Sequence, residues 1–151
     1  ENGNWHLGAY EHGNLVSGTA FLSDLNCFYA GEFARDEDDI TVPHGRGRMD
    51  YPNGDWYDGE WKFAYRHGQG KMRLGPESTN ALTESIYDGE WVNDKIEGFG
   101  KQVIMDEFGS PEICYEGYWR DGKRHGTGKL VMIQSGKEYP EHEFRDGFPI
   151  R

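Results

Sequence analysis

Only two cysteines, Cys27 and Cys114, occur in 151 residues, far apart and with no CxxC or Cys/His metal spacing. A disulfide framework is therefore not expected; free, buried thiols in a reducing compartment are. Basic charge is also scarce, with 16 Lys+Arg against 27 Asp+Glu, a net charge of −11. An overall basic footprint for nucleic acid is excluded on that balance, and bulk attraction to anionic lipid is disfavoured. No apolar run approaches the ~18–20 residues of a membrane span. A secretory apolar segment is missing at the N-terminus and the first residue is not Met, so the sequence reads as a segment of a longer protein. Aliphatic content is low: hydrophobic residues make up 35% and mean hydropathy is −0.89. A thick aliphatic core is not available to this chain.

Glycine and aromatic rings fill the gap, with 22 glycines, 5 Trp, 9 Tyr and 8 Phe. They recur in order. Tyr57-Asp58-Gly59-Glu60-Trp61 returns as Tyr87-Asp88-Gly89-Glu90-Trp91, as Tyr115-Glu116-Gly117-Tyr118-Trp119 and, upstream, as Tyr29-Ala30-Gly31-Glu32-Phe33. Each is followed by a second signature: His44-Gly45-Arg46-Gly47, His67-Gly68-Gln69-Gly70, Glu97-Gly98-Phe99-Gly100 and His125-Gly126-Thr127-Gly128. Self-similarity at this spacing marks a repeat array. Degenerate copies flank the four units, around Gly8 to Ala20 and from Tyr139 to Gly147.

These motifs resemble the MORN repeat (membrane occupation and recognition nexus), whose pattern is Tyr-x-Gly-Glu-Trp, a spacer, His-Gly-x-Gly and a strand. The resemblance covers about residues 8–148, most specifically the four central units. It implies an all-β fold, an elongated, single-layer, twisted antiparallel sheet of stacked β-hairpins. The expected organisation is one array over 1–151: a degenerate unit at 5–28, repeats starting near 29, 57, 87 and 115, and a partial unit at 139–151.

Strand alternation places Tyr57, Gly59 and Trp61 on one face and Asp58 and Glu60 on the other. With a turn near Ala64-Tyr65-Arg66, Trp61 is expected opposite Gly70, whose missing side chain leaves the ring a seat. Glu60 then faces Lys71, Glu90 faces Lys101, and Glu32 faces Arg48; Tyr118 faces Lys129. Gly75–Ser85 and Asp106–Glu112 are expected as lengthened links, Arg35–Pro43 as an enlarged turn, and no helix of normal length is expected.

No residue pattern points to catalysis, a cofactor or a metal. His44, His67 and His125 recur at one repeat position, which favours a structural role. In Glu141-His142-Glu143, alternation splays the side chains to opposite faces. Asp36–Asp39 lacks the spaced ligands of a calcium loop and reads as a solvated acidic turn. The aromatic rows Tyr29, Tyr57, Tyr87, Tyr115 and Phe33, Trp61, Trp91, Trp119 are expected to form a grooved face that one sheet layer leaves partly open. With Glu32, Glu60, Glu90 and Asp36–Asp39 nearby, that face is expected to bind a protein segment, a helix or extended peptide carrying basic residues. The resemblance also supports a non-catalytic scaffold or adaptor in the cytoplasm, at a membrane or on the cytoskeleton. One alternative is phospholipid headgroup binding through the row Arg48, Lys71, Lys101, Lys129; another is self-assembly, including a homodimer, through the array ends.

Overall fold

The computed structural model describes residues 3–79 and 83–150; residues 80–82 of the expected link lie outside the described part. The elements are β1 (Trp5–Glu11), β2 (Asn14–Leu22), β3 (Cys27–Arg35), β4 (Thr41–Asp50), β5 (Trp56–Lys62), β6 (Tyr65–Leu74), the short helix α1 (Pro76–Thr79), β7 (Ser85–Val92), β8 (Lys95–Met105), β9 (Pro111–Arg120), β10 (Lys123–Met132), β11 (Lys137–Glu138), β12 (His142–Arg145) and β13 (Phe148–Pro149). All strands belong to one antiparallel sheet in chain order, with β11 pairing beside the path on β10. At ~4.8 Å per strand the twelve in sequence span about 50 Å. Hairpin turns lie along one side of this ribbon and the links between hairpins along the other.

Five hairpins close through two-residue turns in which both residues have positive φ: His12-Gly13, Phe63-Ala64, Asn93-Asp94, Asp121-Gly122 and Asp146-Gly147. This is the geometry that matches the twist of paired strands. Each later turn docks on the preceding hairpin: the amides of Ala64, Asp94, Gly122 and Gly147 donate to the carbonyls of Pro43, Arg66, Ile96 and Arg124 at 2.8–3.0 Å. The turn side is thus hydrogen-bonded from unit to unit, beyond the ladder itself.

The register differs from the expected one by two residues. Gly59 faces Gly70, Asp58 faces Lys71 and Tyr57 faces Met72, while Trp61 faces Arg66 next to the turn. The turn is the tight Phe63-Ala64 pair rather than Ala64-Tyr65-Arg66. The two residues so released bulge out of β6 at His67–Gln69, with Gly68 at φ +63°. The same shift recurs: Gly31 with Gly47 and Phe33 with Pro43, Gly89 with Gly100 and Trp91 with Ile96, Gly117 with Gly128 and Trp119 with Arg124. An offset of two leaves every side chain on its expected face, so the sorting of apolar from charged residues is unaffected.

One consequence is a row of ten glycines across ten consecutive strands: Gly8, Gly18, Gly31, Gly47, Gly59, Gly70, Gly89, Gly100, Gly117 and Gly128. The ring seated on Gly70 is Tyr57, not Trp61. A Cβ at Gly70 would collide with the Tyr57 phenol, and one at Gly59 with the Gly70 backbone.

The links fold locally. Asp36 Oδ1 accepts from the amides of Asp38 (3.0 Å) and Ile40 (2.9 Å), closing the acidic turn. The buried Asp55 carboxylate gathers the Gly75 amide (2.6 Å), Asn53 Nδ2 (3.0 Å) and the Ser78 hydroxyl, fixing α1 against the preceding link.

Candidate docking surface

The front face, which carries the glycine row, is closed by its own rings. Phe33, Tyr29, Trp61, Tyr57, Trp91, Tyr87, Trp119, Tyr115 and Phe144 form one continuous zigzag of edge-to-face contacts, with centroids 5.0–5.6 Å apart. This spacing is the preferred T-shaped arrangement. Every ring with a polar atom uses it inward. The hydroxyls of Tyr29, Tyr57, Tyr87 and Tyr115 donate to the carbonyls three residues on, at 2.8–3.1 Å. The indoles of Trp61, Trp91 and Trp119 donate to the carbonyls of Gly47, Gly70 and Gly100 of the preceding hairpins, at 2.8–3.2 Å.

The eight rings expected to line an open groove are therefore buried, none more than 7% exposed. This corrects the expectation of a partly open aromatic face. Side chains from the start of each second strand supply the missing cover. The Arg66 guanidinium lies 4.8 Å above Trp91 and the Arg124 guanidinium 4.6 Å above Tyr115, and Ile96 packs on the cluster. Burial holds the phenols of Tyr29, Tyr57 and Tyr87 far above their usual range and raises Tyr115. Burial also lowers the Arg124 guanidinium.

Glu32, Glu60 and Glu90 do not face the basic row. Their carboxylates fold back over the bulges and accept the amides of Arg46, Gln69 (3.1 Å) and Phe99 (3.2 Å). The bulge puts three residues where the ladder needs one, and the glutamate satisfies an amide the partner strand cannot reach. In the last strong unit Tyr118 stands there instead and packs over Gly126.

On the back face, Arg48, Lys71, Lys101 and Lys129 occupy one row, but acidic residues alternate with them. The order across the strands is Arg48, Asp58, Lys71, Asp88, Lys101, Glu116, Lys129. Arg48 is further held by Asp50 (2.8 Å) and Lys129 by Glu138 (2.5 Å). The neutralising partners are Asp58, Asp88 and Glu116 rather than Glu32, Glu60 and Glu90.

The histidine position serves the next turn in two of the four units, whereas Nδ1 of His67 and of His125 is buried with no hydrogen-bond partner. His44 Nδ1 accepts the Phe63 amide (3.2 Å), and Glu97, at the same place two units later, accepts the Asp121 amide (3.1 Å). Both cysteines are free and buried, and burial raises their thiols. Among the described residues no group of three or more His, Cys, Asp or Glu side chains is placed to hold a metal ion. No described helix is long and apolar enough to cross a membrane.

Large apolar side chains do reach solvent along the turn side. Phe63, Tyr65, Val92, Phe99 and Tyr118 are 42–53% exposed, with Phe99 and Tyr118 paired edge-to-face at 5.4 Å. Phe63, Tyr65 and Val92 sit outside the repeated signatures, and Phe99 and Tyr118 occupy their variable positions, so the repeat pattern does not mark these five as exposed. The available signal was the mismatch with their repeat equivalents: Phe63-Ala64 stands where other turns carry Asn-Asp or Asp-Gly.

The MORN repeat profile matches this chain at residues 42–56, 57–76, 87–104 and 115–132. Each match falls on strands of successive hairpins. Alsin of Rattus norvegicus is 34% identical over 100 aligned residues, which cover 58% of this chain and 6% of the rat protein. The chain thus spans a small fraction of that relative's length. Four matched repeats, carried by hairpins of one continuous sheet, place the chain in the MORN-repeat family, whose members are protein- or phospholipid-interaction modules, generally of scaffold type.

Proposed function

We propose that this chain is a non-catalytic, cytoplasmic scaffold that binds a protein segment along the turn side of its sheet. The observation carrying this reading is the contrast in exposure: the ring ladder is sealed, whereas five of the large apolar side chains that reach solvent, Phe63, Tyr65, Val92, Phe99 and Tyr118, make a band near the turns of neighbouring hairpins at 42–53% exposure. Exposed apolar area gathered in this way marks partner sites, and stacked repeats present it as an extended surface. The ladder rings Tyr29, Phe33, Tyr57, Trp61, Tyr87, Trp91, Tyr115 and Trp119 serve as the frame that holds this band in register. Glu32, Glu60 and Glu90 shape the bulges beside it. The reading takes residues 1–151 as one array, and a partner with basic residues suits the net charge of −11. Alternation of acid and base along the row of Arg48, Lys71, Lys101 and Lys129 argues against headgroup binding, since the anionic leaflet meets a nearly neutral strip.

Two measurements together test this. The first is co-sedimentation with phosphatidylserine and phosphoinositide vesicles at physiological salt, where no binding is expected. The second is affinity capture from cell extract with the wild type and a Val92→Ser/Phe99→Ser variant. Captured proteins are identified and re-bound in purified form. The reading requires that the variant lose them. Vesicle binding at physiological salt, or equal retention by the variant, overturns it.

A further inference from the structure

Between the acidic turn of one hairpin and the tight turn of the next lies a groove of about 860 Å³. Asp36, Glu37 and Asp38 form one wall, and Phe63 and Tyr65 the other. We propose that this groove receives an arginine side chain of a basic partner segment, the guanidinium lying on the aromatic wall and paired with the carboxylates opposite. The inference rests on the protein-docking reading above and names the chemistry of one point on that surface.

The molecule repeats the required arrangement with its own arginines. Arg48 lies 4.5 Å above Trp56 and is bonded to Asp50. Arg66 lies 4.8 Å above Trp91 and is bonded to Asp94. In both cases one guanidinium lies over a ring and hydrogen-bonds a carboxylate at its edge, the geometry its planar fork and weak hydration favour. The groove offers the same two components, rings and carboxylates, and among the described residues no arginine or lysine is stacked on Phe63 or Tyr65. Arg35 also lines the groove, but its guanidinium is taken up by Asn14 Oδ1 (2.7 Å), the Asp39 carbonyl (2.7 Å) and the Asp39 carboxylate (3.1 Å) rather than by Glu37 or Asp38.

The aromatic wall is also placed against local preference. Phe63 has φ +44° and Ala64 φ +70°, a conformation disfavoured for a bulky side chain. Equivalent turns use Asn, Asp, His or Gly in those places. The Phe63 ring gains only a tilted contact with His44 at 4.5 Å and stays 43% exposed. On the opposite wall, Asp36 is committed to closing its own turn, which leaves the Glu37 and Asp38 carboxylates for a ligand.

The probe is a fluorescein-labelled hexapeptide of alternating glycine and arginine, with lysine and glutamate versions as controls, titrated into the whole chain at physiological salt. The arginine peptide is expected to bind at least threefold tighter than the lysine peptide, and the glutamate peptide not at all. Amide NMR shifts should concentrate at 36–38 and 63–65. Glu37→Gln/Asp38→Asn should weaken binding at least fivefold. Phe63→Asn should do the same while leaving Tm unchanged or higher, because asparagine tolerates the left-handed turn; loss of binding then cannot be loss of fold. Unchanged affinity in both variants, shifts confined to the back-face charge row, or equal affinity for lysine and arginine overturns the inference. If the arginine peptide fails while the Val92→Ser/Phe99→Ser variant still loses its captured protein, this inference falls and the docking reading stands.

Discussion

The two faces of the sheet are made by the same strands and differ only in residue parity, yet they obey different rules. On the front, each unit contributes a Tyr, a Gly and a Trp or Phe, and the Trp units depend on the preceding hairpin for their final contact: Trp61 on Gly47, Trp91 on Gly70, Trp119 on Gly100. On the back, Asp58, Lys71, Asp88, Lys101, Glu116 and Lys129 stand in an alternating row open to water. The front row fixes geometry because a ring lies directly on backbone. The back row adjusts charge because long side chains have room to move. A one-layer sheet thus makes a core by interlocking rings along its length, with no second layer.

That contrast can be broken deliberately. Gly70→Val should be the most damaging change, since any side chain there displaces the Tyr57 phenol from the backbone; the expected outcome is loss of cooperative unfolding by circular dichroism. Trp91→Ala removes a buried ring and its bond to the Gly70 carbonyl, and should cost about 3–5 kcal/mol in a urea titration. Glu60→Ala strips the cap from the Gln69 amide and should cost about 1 kcal/mol. Lys101→Gln, in the open charge row, should change stability by less than about 0.5 kcal/mol. If Lys101→Gln rivals Trp91→Ala, the division between the faces is wrong.

Alkaline titration sharpens the same division. Tyr29, Tyr51, Tyr57, Tyr87 and Tyr115 all have their phenols raised, chiefly by burial. Their folded values lie above the unfolded one, near 10. The neutral form therefore stabilises the fold fully below that pH, and the contribution drains away as pH rises through and beyond it. Tyrosinate absorbance from these five should appear together with unfolding, not before it.

Much of this was legible in the sequence. The linked signatures gave the hairpins, and alternation gave the faces, because parity survives any even shift. The register itself was not legible. Placing Trp61 opposite Gly70 satisfied every side-chain preference, and so does the observed pairing of Gly59 with Gly70. What decides between them is a backbone choice, a tight turn at Phe63-Ala64 with a bulge at His67–Gln69, and residues as unsuited to left-handed φ as Phe and Ala hide it. The bulge then explains the conserved-looking place of glutamate within the repeat, which reads as one half of an ion pair until the unmet amide of Gln69 is in view. Burial of the ladder was missed for a related reason. Its cover comes from Arg66 and Arg124, a residue type that mostly sits in solvent, whose guanidinium groups here lie over Trp91 and Tyr115.

The central claim, that the ring ladder is a closed frame and not a contact surface, is tested most directly by hydrogen exchange at the tryptophan indoles. The Nε1–H groups of Trp61, Trp91 and Trp119 donate to glycine carbonyls inside the ladder. The account predicts that these three exchange only through global unfolding, with protection equal to that of the central strand amides. Exchange of all three within seconds in the folded protein would mean that the ladder opens freely, and would contradict it.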